Sequence, residues 1–210
     1  MKGNLIKSLF NNTLVVAACL MWSSATGKQA VGDQAQGPLR VHPTNPRYFI
    51  DGAKRPDGSL KAVYLTGSHP WNNLQDMGVT NPPPAFDFDA YLEFLALNGH
   101  NFVRLWRWEL TEWKTWDPTQ APLRYIAQHP WKRTGPGKAL DGLLKFDFKQ
   151  WDDVYFDRLR SRVKAAQERG IYVSIMLFEG WCLRQQPSTW SGHPMNAANN
   201  INGIDGDPNG

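Results

Sequence analysis

Apolar positions along this chain change period several times, and each change marks an expected element. Beyond Asp87, the residues Phe88, Tyr91, Leu92 and Leu95 recur at helical spacing, which predicts a helix capped by Asp87 and stopped by Asn98-Gly99. A second helix is predicted through Leu159, Val163 and Ala166 to Arg169, ended by Gly170 and opened by an Asp147/Gln150 capping box. Ala62–Gly67, Asn101–Trp108 and Ile171–Phe178 are short apolar runs that read as buried strands. Arg47–Gly52 reads as a strand and turn, with a hairpin loop over Ala53–Ser59. The stretch from Glu109 to about Lys145 reads as a long loop, as does the Asn-, Gly-, Pro- and Ser-rich chain after Gly180.

This order is strand, helix, strand, helix, strand. The joints entering the later strands are tight (Asn98-Gly99-His100 and Gly170), which predicts a parallel βαβ series. The expected fold class is α/β, over residues 40–210: about the first three β/α units of a partial TIM (β/α)8 barrel, preceded by a short β-hairpin. A doubly wound sheet shares the rhythm. Its mark is a glycine-rich phosphate turn, and the first strand here ends Thr66-Gly67-Ser68-His69-Pro70-Trp71 without one. The chain also carries no P-loop, HExxH or GxSxG motif.

Residues 1–27 read as an export signal, with Lys2 and Lys7 ahead of a short apolar run, Leu14–Met21. The expected destination is secreted or periplasmic. Val16-Ala17-Ala18-Cys19 offers the alternative of a lipoprotein anchored through Cys19, the one route to a membrane. Residues 28–39 read as a flexible tether. The second cysteine, Cys182, is alone in the mature chain, which excludes a disulfide framework and a CxxC metal pair.

With 41% hydrophobic and 20% charged residues the chain is globular. A net charge of +4 without any Lys/Arg run gives no case for nucleic acid. Ten tryptophans change the picture more. Most fall at expected strand ends and loops, where flat indoles match the C–H faces of sugar rings. On the second strand, Phe102, Arg104, Trp106 and Trp108 share one face. Arg104 is then expected inside the barrel, either in a private ion pair or holding a catalytic carboxylate ionised.

Asn101-Phe102-Val103-Arg104-Leu105 resembles the second-strand motif of the retaining β-glycosidase superfamily that includes cellulases and mannanases. Val63–His69, Trp71-Asn72-Asn73 and the closing stretch from His193-Pro194 are similar to cellulase-like bacterial glycoside hydrolases. The resemblance implies double displacement by two carboxylates about 5–5.5 Å apart. It also implies that Arg104 positions the nucleophile, and that both Glu residues lie beyond residue 210, because the chain holds no Asn-Glu pair. It implies a carbohydrate substrate and no cofactor, metal or stable protein partner. A noncatalytic sugar-binding or scaffolding protein is the alternative.

The expected sugar contacts are His69, Trp71, Asn72, Trp106, Trp108, Glu109, Glu179 and Trp181. Glu109 and Glu179 end the second and third strands, so an acid/base couple, hydroxyl binding or plain loop capping all fit them. Asp205, Asp207 and Asn209 match the opening of a calcium loop and match ordinary turns as well.

Overall fold

The computed structural model describes residues 34–114, 122–181 and 189–208. The segment 1–27 expected to be an export signal, with Cys19, lies outside the described residues, as do Trp116, Cys182 and Asn209.

The chain opens with β1 (Arg40–Val41), β2 (Phe49–Lys54) and β3 (Leu60–Val63), an antiparallel sheet in that order. Gly58, at φ +81°, supplies the left-handed turn residue of the β2–β3 hairpin. After β4 (Asp76–Gly78) comes α1 (Phe88–Leu97). Next are β5 (Phe102–Leu105), β6 (Glu112–Trp113) and β7 (Arg124–Ala127). A long hairpin, β8 (Trp131–Lys138) and β9 (Leu144–Trp151), leads into α2 (Asp153–Glu168) and β10 (Tyr172–Ile175). A 3-10 turn, Ala197–Asn199, sits in the closing segment.

This architecture overturns the expected partial barrel. The strands form four small sheets, three of them antiparallel: β1-β2-β3, β4-β7-β6 and β8-β9. Among the strands of the described residues, β5 and β10 alone form a parallel ladder, with Val103 opposite Val173. The expected first barrel strand, Ala62–Gly67, does not enter a parallel ladder. Its beginning belongs to β3, because a hairpin partner a few residues away closes at lower entropic cost than a distant one. The stretch after β3 is instead tied to the start of β5, where Asn101 N and Phe102 N donate to the Thr66 carbonyl at 3.0 Å. Asn101 Nδ2 donates to the Tyr64 carbonyl, and Asn101 Oδ1 accepts from Thr66 N, both at 2.9 Å. The expected loop from Glu109 to Lys145 contains three strands and the start of a fourth.

Both helices form where the apolar spacing puts them. Asp87 Oδ1 accepts from Ala90 N at 2.9 Å, and Gly99 (φ +67°) follows the end of α1. The start of α2 is corrected. Asp147 and Gln150 lie inside β9, and the cap is Asp152, whose Oδ1 accepts from Val154 N at 3.0 Å. Against the helices pack Tyr91, Leu92, Leu95, Val103, Ala166 and Ile171, continued by Leu74, Leu105 and Tyr155. Val103 and Leu105 thus face the helices as the strand period requires, and Arg104 on the other face is exposed.

Two side-chain amides carry the order of β5 onward to Trp108. Asn73 bonds the Arg104 carbonyl (2.6 Å) and Trp106 N (2.8 Å). Gln75 takes the next step, bonding Trp108 N (2.7 Å), the Trp108 carbonyl (3.0 Å) and the Gln128 carbonyl (2.8 Å). Both amides are fully buried and satisfied, so they act as a substitute strand that fixes where Trp106 and Trp108 point.

Candidate functional site: an aromatic pocket over a buried acid

The register of β4-β7-β6 defines one face of the site. Trp113 lies opposite Arg124, and Met77 opposite Ile126. Opposed residues share a face, and the face flips at each step. Trp113, Arg124, Ile126 and Met77 therefore point one way, while Glu112, Tyr125, Ala127 and Asp76 point the other. Trp71 and Asn72, from the loop after β3, come over the first face. Together Trp71, Asn72, Met77, Trp113 and Arg124 line a pocket of about 340 Å³.

Behind the pocket the rings stack into one body. Trp108 lies flat on Trp113, with centroids 5.3 Å apart and planes 10° apart. Trp181 meets Trp113 edge-on at 5.2 Å, and Trp71 meets Trp108 and Trp113 edge-on at 6.1 and 6.3 Å. The Trp108 indole N–H donates to the Trp71 carbonyl at 2.8 Å, so the buried ring anchors the exposed one. Only Trp71 offers a broad open face, at 50% exposure, against 3% for Trp108 and 5% for Trp113. His69, also exposed, stacks on Trp106 at 5.8 Å.

Below this aromatic layer sits Glu109, 4% exposed. Its Oε1 is 3.9 Å from Arg107 Nη2 and its Oε2 is 3.8 Å from His193 Nε2. His193 Nδ1 accepts from Met195 N at 3.0 Å, so the ring proton is on Nε2 and points at the carboxylate. Burial acts to raise the Glu109 carboxyl. His193, Arg107 and the Glu179 N–H outweigh it, and Glu109 is held below the usual carboxylate range. Arg107 donates to the Leu177 carbonyl and lies over the Trp131 and Phe178 rings at 5.2 and 5.5 Å. Trp190 stacks on His193 at 4.6 Å.

The expected site residues divide accordingly. Trp71 and Asn72 line the pocket; Trp108 and Trp181 form its backing. His69 and Trp106 extend the rings beyond it. Glu109 and Glu179 are neighbours: Glu179 N donates to Glu109 Oε2 at 3.3 Å, and Glu179 Oε2 accepts from Trp181 N at 2.7 Å. Both acids bind backbone, which is a structural task. Arg104 joins none of these groups, and among the described residues no carboxylate lies within salt-bridge distance of it.

Sequence reasoning assigns no role to Met77, Arg107 or Arg124, counts Trp113 only among the tryptophans at expected strand ends and loops, and marks His193 only as the start of a stretch carrying the family resemblance. The signal for Arg124 was its place one residue ahead of the Tyr-Ile-Ala strand run. That signal becomes useful only once the partner strand is known. Glu112, on the opposite sheet face, has its carboxyl pushed up by burial and by Asp141, with Lys114 and Arg133 acting against them. Asp205 accepts from Asp207 N at 3.2 Å, an ordinary Asx turn. Among the described residues, no group of three or more His, Cys, Asp or Glu is placed to hold a metal ion, and no helix is long and apolar enough to cross a membrane.

No curated protein and no solved structure matches the chain. Residues 107–208, which carry Glu109, Trp113, Arg124 and His193 but not Trp71, are similar to the family described as a domain of unknown function, DUF6298.

Proposed function

We propose that this protein binds carbohydrate at the Trp71 pocket and serves in the hydrolysis of O-glycosidic bonds. One observation carries the reading: a half-exposed indole stands over a pocket whose remaining walls are an amide, a thioether, a second indole and a guanidinium. An indole face takes the C–H side of a sugar ring, and the amide and guanidinium meet its hydroxyls. About 340 Å³ is near the lower end of the roughly 300–1,000 Å³ of small-molecule sites. The burial of Glu109 favours a binding task for the described residues over bond cleavage, because a carboxylate 4% exposed and facing Arg107, His193 and the Glu179 N–H is not open to a glycosidic oxygen.

Titration of the chain with a panel of soluble oligosaccharides, read by tryptophan fluorescence and calorimetry, tests this. Trp71→Ala is expected to weaken binding about tenfold, equal to about 1.4 kcal/mol. Its effect on unfolding is expected to be about 1–2 kcal/mol, from the half of the indole packed on Trp108 and Trp113, and binding is compared where both proteins are folded. If no saccharide binds, or if Trp71→Ala binds as well as the parent, the reading fails. Release of reducing ends by the chain would assign it the cleaving step as well.

A further inference from the structure

We propose that the Trp71 pocket selects an acidic sugar, with Arg124 pairing to a carboxylate or sulfate on the ring. This rests on the carbohydrate reading above and specifies the chemistry of the same site. The pairing of Arg124 with Trp113 across β6 and β7 puts the guanidinium on the pocket face, 5.8 Å from the Trp113 ring. Of the five described lining residues, Arg124 alone carries a charge. No carboxylate among the described residues comes within 4.0 Å of it. The acid nearest in the strand pairing, Glu112, sits opposite Tyr125 and so points away through the sheet. The groups acting on the Glu112 carboxyl are Asp141, Lys114 and Arg133, and Arg124 is not among them.

A half-buried guanidinium on an indole floor thus gives the pocket a positive centre that no acid among its described walls neutralises. Its planar fork matches a carboxylate or sulfate with two parallel hydrogen bonds, and indole walls strengthen such a pair by excluding water. A neutral sugar would use the same stacking face and leave that fork facing hydroxyls only. The anionic group adds the charge-assisted bonds.

The test uses the full chain and oligosaccharides of equal length in three arms: a uronic-acid oligomer, a sulfated neutral oligomer and an unmodified neutral oligomer. At least one anionic arm is expected to bind about tenfold more tightly than the neutral arm at low salt, and the gap should narrow at high salt. Arg124→Gln should bring that arm down to the neutral level with an unchanged thermal melt, and Arg124→Lys should recover part of the gap. The arm that shows the Arg124 dependence identifies the source of the charge. Equal binding of all three arms, or a preference that survives Arg124→Gln, overturns the proposal. If the neutral arm still binds and still depends on Trp71, only the acidic preference is lost. If no arm binds, the carbohydrate reading falls with it.

Discussion

Around α1, α2, β5 and β10 the interior is largely aliphatic, with Leu92, Leu95, Val103, Ala166 and Ile171 in one cluster and Leu74 and Leu105 in the next, and its buried polar groups among the described residues are few: Asn73 and Arg162. Around β4, β6 and β7 the interior is Trp108, Leu110, Trp113 and Ile126, and beneath it run Glu109, His193, His129 and Gln75, all buried. Burial of apolar area stabilises the first region, at about 25 cal/mol per Å². The second adds buried charges and amides, and each of these costs more when its partner is removed than it contributes when paired. The difference also locates the site. Indoles that are half packed and half open can both build a core and present a face, which leucines cannot do for a polar ligand.

Two substitutions give the contrast its largest readout. Glu109→Ala strands Arg107 and the His193 ring proton, and should cost about 4 kcal/mol in urea unfolding, as for a broken buried pair. Leu92→Ala empties fully buried space and should cost about 3 kcal/mol. Glu109→Gln keeps the shape and should recover much of its loss, whereas Leu92→Met should recover nearly all. A Glu109→Ala cost below about 1 kcal/mol would mean that the tryptophan region rests on packing alone and would remove the distinction.

Acid should also act on the tryptophan region first. His129 is buried against Phe146, its Nε2 is 3.1 Å from the Ile126 carbonyl, and burial together with Arg133 lowers its pKa to about 3. The unfolded chain takes up this proton near the ordinary value of 6.5 and the folded chain does not. The contribution is therefore whole above 6.5 and is lost as pH falls from 6.5 toward 3, at up to about 1.4 kcal/mol per pH unit. The lowered Glu109 carboxyl adds its own loss only below the usual carboxylate range, as the unfolded chain protonates. Denaturation midpoints between pH 7 and 5 should fall in the parent and fall less in His129→Leu. Parallel curves would place the acid sensitivity elsewhere.

The two regions were also unequally legible in the sequence. In the aliphatic region, period and caps agree, so Phe88, Tyr91, Leu92 and Leu95 with Asp87 and Gly99 define α1 from local chemistry alone. The parallel pairing of β5 and β10 followed from the same helices. Closing that pair into a barrel did not follow, because strand order is a nonlocal choice that the same short apolar runs allow in several ways. In the tryptophan region the strands are two to four residues long in β4, β6 and β7, too short to show a period. The hairpin strand β9 does alternate, as Leu144, Phe146 and Phe148 against Lys145, Asp147 and Lys149. There, Asp147 and Gln150 imitated a helix cap. For the candidate site, Trp71 follows from its residue type and from the family resemblance, and Asn72 from the resemblance. Arg124 and His193 could not be placed there, since Trp113 and Glu109 meet them across 11 and 84 residues of sequence.

The smallest effect bears on whether the two regions are independent. Asp152 caps α2 through Val154 N at 3.0 Å, and Asp152→Ala should cost about 1 kcal/mol, with Asp152→Asn near neutral. On its inner face α2 carries Arg158, which pairs with Asp76 of β4 at 2.8 Å, and Arg162, which donates to the Asn73 carbonyl. Asp76 begins the strand whose Met77 lines the pocket, so loosening the first turn of α2 has a short path to the site. Arg158 stands beyond the first turn of α2, so fraying at the cap leaves the Asp76 pair in place. Asp152→Ala is therefore expected to lower the unfolding midpoint and leave saccharide affinity within about twofold of the parent. A loss of affinity in proportion to stability would show that Asp76 and Arg158 join the helices to the pocket. The aliphatic region would then count as part of the site's support.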